Sequence, residues 1–111
     1  MRTRPLLRRR ARLEAPADIP DGAGGARPGW LHVADHWIAL LPVSGQETYE
    51  GARETPTITH RILLRCPRTL RPRPDQRFVV GPRAFAIRAV FDRDGRGRFL
   101  TCLAEEGRHD P

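Results

Sequence analysis

The sequence predicts an all-β fold: a small antiparallel β-barrel or sandwich of about six strands, with one long projecting loop. Three observations predict it. Helical periodicity is nowhere sustained beyond a few turns. Several short apolar stretches alternate with period two, as half-buried strands do. Pro and Gly together supply 21 of the 111 residues, without a collagen period, and punctuate the chain into short elements. A chain of this length fits one domain with a single modest core.

The elements follow in order. Residues 1–9 form a basic, Pro-broken tail that stays mobile until a partner orders it. Residues 10–15 alternate, with Ala11, Leu13 and Ala15 on one side and Arg10, Arg12 and Glu14 on the other. Residues 16–29 contain three Pro and four Gly and read as a flexible loop. Residues 30–41 are the most apolar stretch. Leu31, Val33, Trp37, Ala39 and Leu41 share one parity, interrupted by Asp35. The expectation is an irregular start near Trp30 and a strand through 37–41, with a helix as the competing reading. Pro42 ends either one.

Residues 57–66 put Ile58, His60, Ile62, Leu64 and Cys66 on one strand face and Arg61 and Arg65 on the other. Residues 67–75 are a Pro-rich connector with Leu70 as its apolar anchor. Residues 77–80 are a short strand, and Gly81-Pro82 is a turn signal. Residues 83–91 are a strand with Phe85, Ile87, Ala89 and Phe91 inward. Residues 92–97 form a hairpin loop centred on Asp94-Gly95, and residues 98–105 are the last strand. The domain thus spans 10–106, and 107–111 is a polar tail.

The loop at 43–56 is the stretch around which the rest is organised. Connections in compact domains usually take two to six residues, and longer ones tend to be functional. This one holds Ser44, Gly45, Gln46, Glu47, Glu50, Gly51, Arg53 and Glu54 but no apolar run. Three Glu against one Arg leave it acidic.

The net charge is +7, and every basic side chain is Arg. Six of these Arg precede residue 13, and the remainder of the chain is nearly balanced. A basic excess raises the prospect of a nucleic-acid or acidic protein partner. Arg61 and Arg65 suit carboxylates or phosphates, as do Arg8, Arg9 and Arg10, although a solvated face explains them equally well. Trp37, Phe85 and Phe91 share parity with core positions and read as core. No secretory signal and no apolar run long enough for a membrane helix is present. Two Cys without a signal point to free thiols in a reducing compartment.

Metal and catalytic readings find no support in the spacings. There is no C-x-x-C, and His32 and His36 on a strand lie on one side roughly 13 Å apart. Cys66 and Cys102 read as small core residues. Asp92-x-Asp94-Gly95 lacks the later ligands of a calcium loop. Ser44 stands in no G-x-S-x-G elbow. No cofactor is implied and no enzyme is expected.

One series of residues is similar to a known family. It runs His36-Trp37-Ile38-Ala39, Pro42-Val43-Ser44-Gly45-Gln46-Glu47, Thr59-His60-Arg61-Ile62 and Leu64-Arg65. It continues through Arg77, Phe85-Ala86-Ile87, the 92–97 turn and Leu103-Ala104-Glu105. Over residues 6–106 the chain resembles the phage head–tail joining proteins, the head-closure or stopper proteins of long-tailed phages. The Gly-rich 21–29 segment and the Pro-rich 67–74 segment depart from that pattern. The resemblance extends to gene transfer agents, the phage-like particles kept by bacterial hosts.

The resemblance implies a structural barrel in a ring; it allows sixfold or twelvefold symmetry, with sixfold favoured. The ring would stand between the portal-adaptor protein and the tail, with its tail terminator, around packaged double-stranded DNA and with no membrane. It implies that the 43–56 loop projects into the channel and retains DNA. Fourteen residues, folded out and back, reach about 20 Å, and their acidity repels DNA, as suits a steric gate. The reading kept beside it is a basic small-barrel nucleic-acid-binding module, which would bind DNA with a steep salt dependence.

Overall fold

The computed structural model describes residues 6–43 and 57–107. Six strands form the fold: β1 (Arg9–Pro20), β2 (Ala26–Pro42), β3 (His60–Arg65), β4 (Arg77–Val80), β5 (Arg83–Phe91) and β6 (Phe99–Gly107). All pairings are antiparallel, and they close a barrel in the order β1-β2-β3-β6-β5-β4. Residues 30–41 are strand, which removes the helical alternative.

The core is small and apolar. Leu13, Ile38, Ile62, Leu64, Phe78, Phe85, Ile87 and Cys102 are fully buried, and Ala11, Val80, Leu100 and Ala104 complete the cluster. Each large side chain there contributes roughly 1.5–3 kcal/mol by leaving water. The alternation expected for β3 holds, with His60, Ile62 and Leu64 buried and Arg65 exposed. β4 and β5 have the expected bounds. The 92–97 turn is tied by Asp92, whose carboxylate accepts from the Gly95 and Gly97 amides, with both glycines at positive φ.

Residues 16–29 are not a loop. β1 runs on to Pro20 and pairs with β2 from Ala26 onward, leaving only 21–25 as a turn. The Asp21 carboxylate accepts from the amides of Ala23 (2.8 Å) and Gly25 (3.1 Å), and Gly22 and Gly24 supply the positive φ values. These bonds hold the Asp21 carboxyl below its usual range.

β4 pairs with β1 only up to Glu14, so 15–20 and 26–31 leave the barrel as a two-stranded arm. Six residues per strand make it about 20 Å long. The principal extents are accordingly 58 × 33 × 24 Å. Proline is tolerated at 16, 20 and 28 because both strands of such a ribbon have an open edge. Gly29 is required by packing: a Cβ there would lie 2.5 Å from Cγ1 of Ile19.

Two bulges change which way side chains face. In the β1–β2 pair Leu13 lies opposite Ala34 and Glu14 opposite His32, so Val33 is the extra residue. His36 consequently faces inward beside Ala11, where its ring meets Phe78 edge-on, while His32 faces outward and bonds Asp35 at 2.9 Å. The two histidines do not share a side. In the β5–β6 pair Arg88 is the extra residue, which turns Val90 inward and Phe91 outward. Phe91 is 41% exposed and Trp37 is 53% exposed, so neither is core. Leu70, at φ 51°, is exposed and anchors nothing; Pro72 is the buried residue of that connector.

Candidate functional site

Two parts of the barrel present side chains in an organised way: the mouth from which the 43–56 segment departs, and the outer wall of β2, β3, β6 and β5.

The mouth is a hydrogen-bonded clamp. The Val43 amide donates to the Thr59 carbonyl at 2.9 Å, which joins the two ends of the departing segment. The Thr59 amide donates to the Ala104 carbonyl, and the Glu106 amide donates to Thr59 Oγ1 at 2.7 Å. His60 Nδ1 lies 2.8 Å from that same oxygen, and His60 Nε2 lies 3.5 Å from Arg83 Nη2. Arg83 makes a two-pronged ion pair with Glu106, at 2.8 and 3.0 Å.

One proton assignment satisfies every group. Arg83 donates to Nε2 of neutral His60, Nδ1–H donates to Thr59 Oγ1, and the Thr59 hydroxyl donates to the Ala104 carbonyl at 3.5 Å. A protonated imidazole would point Nε2–H at a guanidinium. Burial holds the His60 pKa below its ordinary value; Glu106 opposes this and Arg83 adds to it. The bond from Arg83 pulls the Glu106 carboxyl down.

The outer wall is read from the strand register. Arg10 lies opposite Trp37, Ile38 opposite Leu64, and Arg65 opposite Phe99. Arg10, Trp37, Arg65 and Phe99 therefore form one row across four strands. The Arg10 guanidinium lies 5.3 Å from the Trp37 ring centre, and Arg65 lies 5.5 Å from that of Phe99. The next row is Ala39, Leu63, Thr101 and Phe91, and the one after it is Leu41, Arg61, Leu103 and Ala89. These three rows contain no carboxylate. Ala39 and Thr101 are buried without belonging to the core cluster.

The predicted residues fall as follows. Ser44, Gly45, Gln46, Glu47, Glu50, Arg53 and Glu54 lie outside the described residues. Arg61 and Arg65 do share the outer face of β3. Arg65 is exposed and stands two strands from Arg10, about 10 Å away. Arg8 is exposed beside the barrel, and Arg9 already belongs to β1. Among the described residues no three His, Cys, Asp or Glu gather as a metal site would require.

Much of the basic excess in the barrel is answered by acid. Arg10 faces Asp35 at 3.7 Å, Arg77 faces Glu14 at 2.8 Å, and Arg88 faces Glu105 at 2.9 Å. With Arg83 on Glu106, these pairings weaken the reading of a nucleic-acid-binding surface.

The arm, the apolar wall and the Arg83–Glu106–His60 cluster were missed at the level of sequence. Residues 37–41 and 62–64 are apolar on both parities, and that signal marks a strand covered on both faces.

A family model described as "phage head completion protein" matches residues 2–107. Among solved structures, a chain in the virion of a native gene transfer agent particle is similar, with 38% identity and a TM-score of 0.66. The match covers 94% of this chain and 98% of that one. No curated protein matches. With nearly its whole length inside the family's pattern and its six strands closed as a barrel, the chain belongs to the phage head completion protein family.

Proposed function

We propose that this protein closes the DNA-filled head of a phage-like particle as a ring of identical barrels, with the 43–56 segment as the gate. As a phage head completion protein it has a structural role at the head–tail connection. Ring formation, contact with the portal-adaptor and the tail terminator, and retention of double-stranded DNA are the finer reading. So is the absence of any catalytic step.

The observation that carries this reading is the clamp at the barrel mouth. Val43 and Thr59 are bonded to each other, and Thr59 is bonded in turn to β6. The segment between them is thus anchored at both ends on a rigid frame, as a gate requires. Its Glu47, Glu50 and Glu54 against Arg53 make it acidic, which suits blocking DNA rather than holding it.

The test is deletion of residues 46–54. The barrel should keep its thermal transition, because the clamp and core lie outside the deleted stretch. Particles carrying the deletion should assemble and lose their DNA, scored by nuclease sensitivity and electron microscopy. Full, nuclease-resistant particles would exclude the gate.

A further inference from the structure

We infer that the arm of one copy, residues 15–31, lies across the β2–β3–β6–β5 wall of the next copy and that this contact builds the ring. The inference rests on the ring reading above and names the surfaces that would make it.

The wall has the chemistry of an interface. Trp37 and Phe91 are exposed by 53% and 41%, and Leu41, Leu63, Phe99 and Leu103 are half-buried around them. A contiguous apolar surface with a charged rim is what contact sites show, and isolated surface hydrophobics do not form such rows. The rim here is Arg10, Arg61 and Arg65.

The arm is the matching element. Beyond Glu14 its two strands have no third neighbour, and a two-stranded ribbon in water is only marginally stable. One face repeats the parity of the core. Ala15 lies opposite Leu31, Ala17 opposite Gly29, and Ile19 folds over Gly29. Leu31 is 55% exposed on that face. Among the described residues no third strand continues beside it, because β4 ends its pairing at Glu14.

Size agrees as well. The arm extends about 20 Å, and four strands span about 14–19 Å. Arm and wall are different surfaces of one chain. Their contact is head-to-tail, and head-to-tail contacts close into rings when the rotation permits.

The arm is fixed at an angle that makes this repeatable. The Arg77 guanidinium lies 4.2 Å from the Trp30 ring centre, and its Nε donates to Glu14 at 2.8 Å. That elbow joins the arm's outer face to β4 and sets where the tip points.

Cysteine cross-linking of the full chain in assembled particles tests the contact. In a Cys66→Ser background, the double variant Ala17→Cys with Leu63→Cys should give, on mild oxidation, a ladder of covalent multimers on a denaturing gel. Each single variant should give none. A second pair at more exposed positions, Leu31→Cys with Phe91→Cys, serves if the first does not fold. Multimers by native mass spectrometry without a ladder from either pair would overturn the arm-on-wall contact and leave the ring intact. Covalent dimers only would indicate a two-fold contact and also overturn it. A cross-link to a different particle protein would assign the wall to that partner. Monomers released from intact particles would overturn ring and contact together.

Discussion

The two outer walls of the barrel differ in chemistry although they share one backbone plan. On the β1–β4 side, Arg12, Glu14 and Arg77 answer one another, with Glu14 held between the two arginines at 3.5 and 2.8 Å. On the β2–β3–β6–β5 side, aromatic and aliphatic residues fill three rows and the arginines stand at the rim or over a ring. Both walls bound the same core, so core packing does not explain the difference. A wall of paired charges is complete in water. A wall of Trp37, Leu63 and Phe91 is completed by another surface. Strand propensity is blind to this distinction, and outer-face polarity reveals it.

The largest effect that would break the comparison is on assembly. Phe91→Asp should reduce incorporation into particles on the order of 100-fold, the scale of losing a central interface residue. The thermal midpoint of the isolated chain should barely move. Arg12→Ser on the other wall should leave incorporation unchanged. Equal effects of the two substitutions in a particle-pelleting assay would erase the contrast.

A smaller effect is expected on stability. Arg77→Ala strips Trp30 of its cover and leaves the buried Glu14 with Arg12 alone. Urea denaturation should show a loss of about 1–3 kcal/mol. Phe91→Asp should show less, because its ring is already partly in water. The reverse order would mean that the apolar wall supports the fold itself.

Acid should act on two inward histidines, His60 at the mouth and His36 beside Phe78, rather than on either wall. Burial depresses His60 and His36, so the unfolded chain takes up their protons first. Stability therefore falls as pH drops below about 6.5, the ordinary histidine value, toward the folded values. Glu106 is also depressed, and its contribution is present above about 4.5 and is lost on further acidification. The thermal midpoint should be lower at pH 5 than at pH 7.5, with a shallower slope in His60→Gln. An unchanged slope in that variant would show that His60 does not carry the effect.

The smallest effect concerns thiols. Burial pushes the Cys102 thiol up to about 12, whereas Cys66 is only half-buried. A colourimetric thiol reagent at pH 8 should therefore titrate at most one sulfur in the folded chain and both in denaturant. Rapid reaction of two would show that the core opens readily near β6.

Strands β3 to β6 were legible because each is a short apolar stretch set between recognisable turns. Gly81-Pro82 and Asp94-Gly95 fixed the hairpins of β4–β5 and β5–β6 to within a residue or two. The arm was not legible. Pro16, Pro20 and Pro28 signal loop wherever a strand has two neighbours, and only an open edge makes them tolerable. The inward assignments of Trp37 and Phe91 failed for separate reasons. Phe91 follows the bulge at Arg88, and parity counted from Phe85 cannot see an inserted residue. Trp37 lies on a strand apolar on both faces, where parity carries no information about which face is inside. At the mouth, His60 was visible as an inward residue. Its link to Arg83 and Glu106 was not, because that link joins three strands distant in sequence.

The strand order also governs when a newly made subunit can join a particle. β6 lies between β3 and β5, although it is the last strand among the described residues to be synthesised. Until it emerges, β3 and β5 have no common neighbour. The rows holding Leu63 and Arg61 also lack their middle members, Thr101 and Leu103. Long-range pairings of this kind are slow to form. The surface proposed to recruit the next copy is thus finished only when the barrel itself is finished, and on that proposal a partly translated chain has no wall to offer and cannot enter the assembly early.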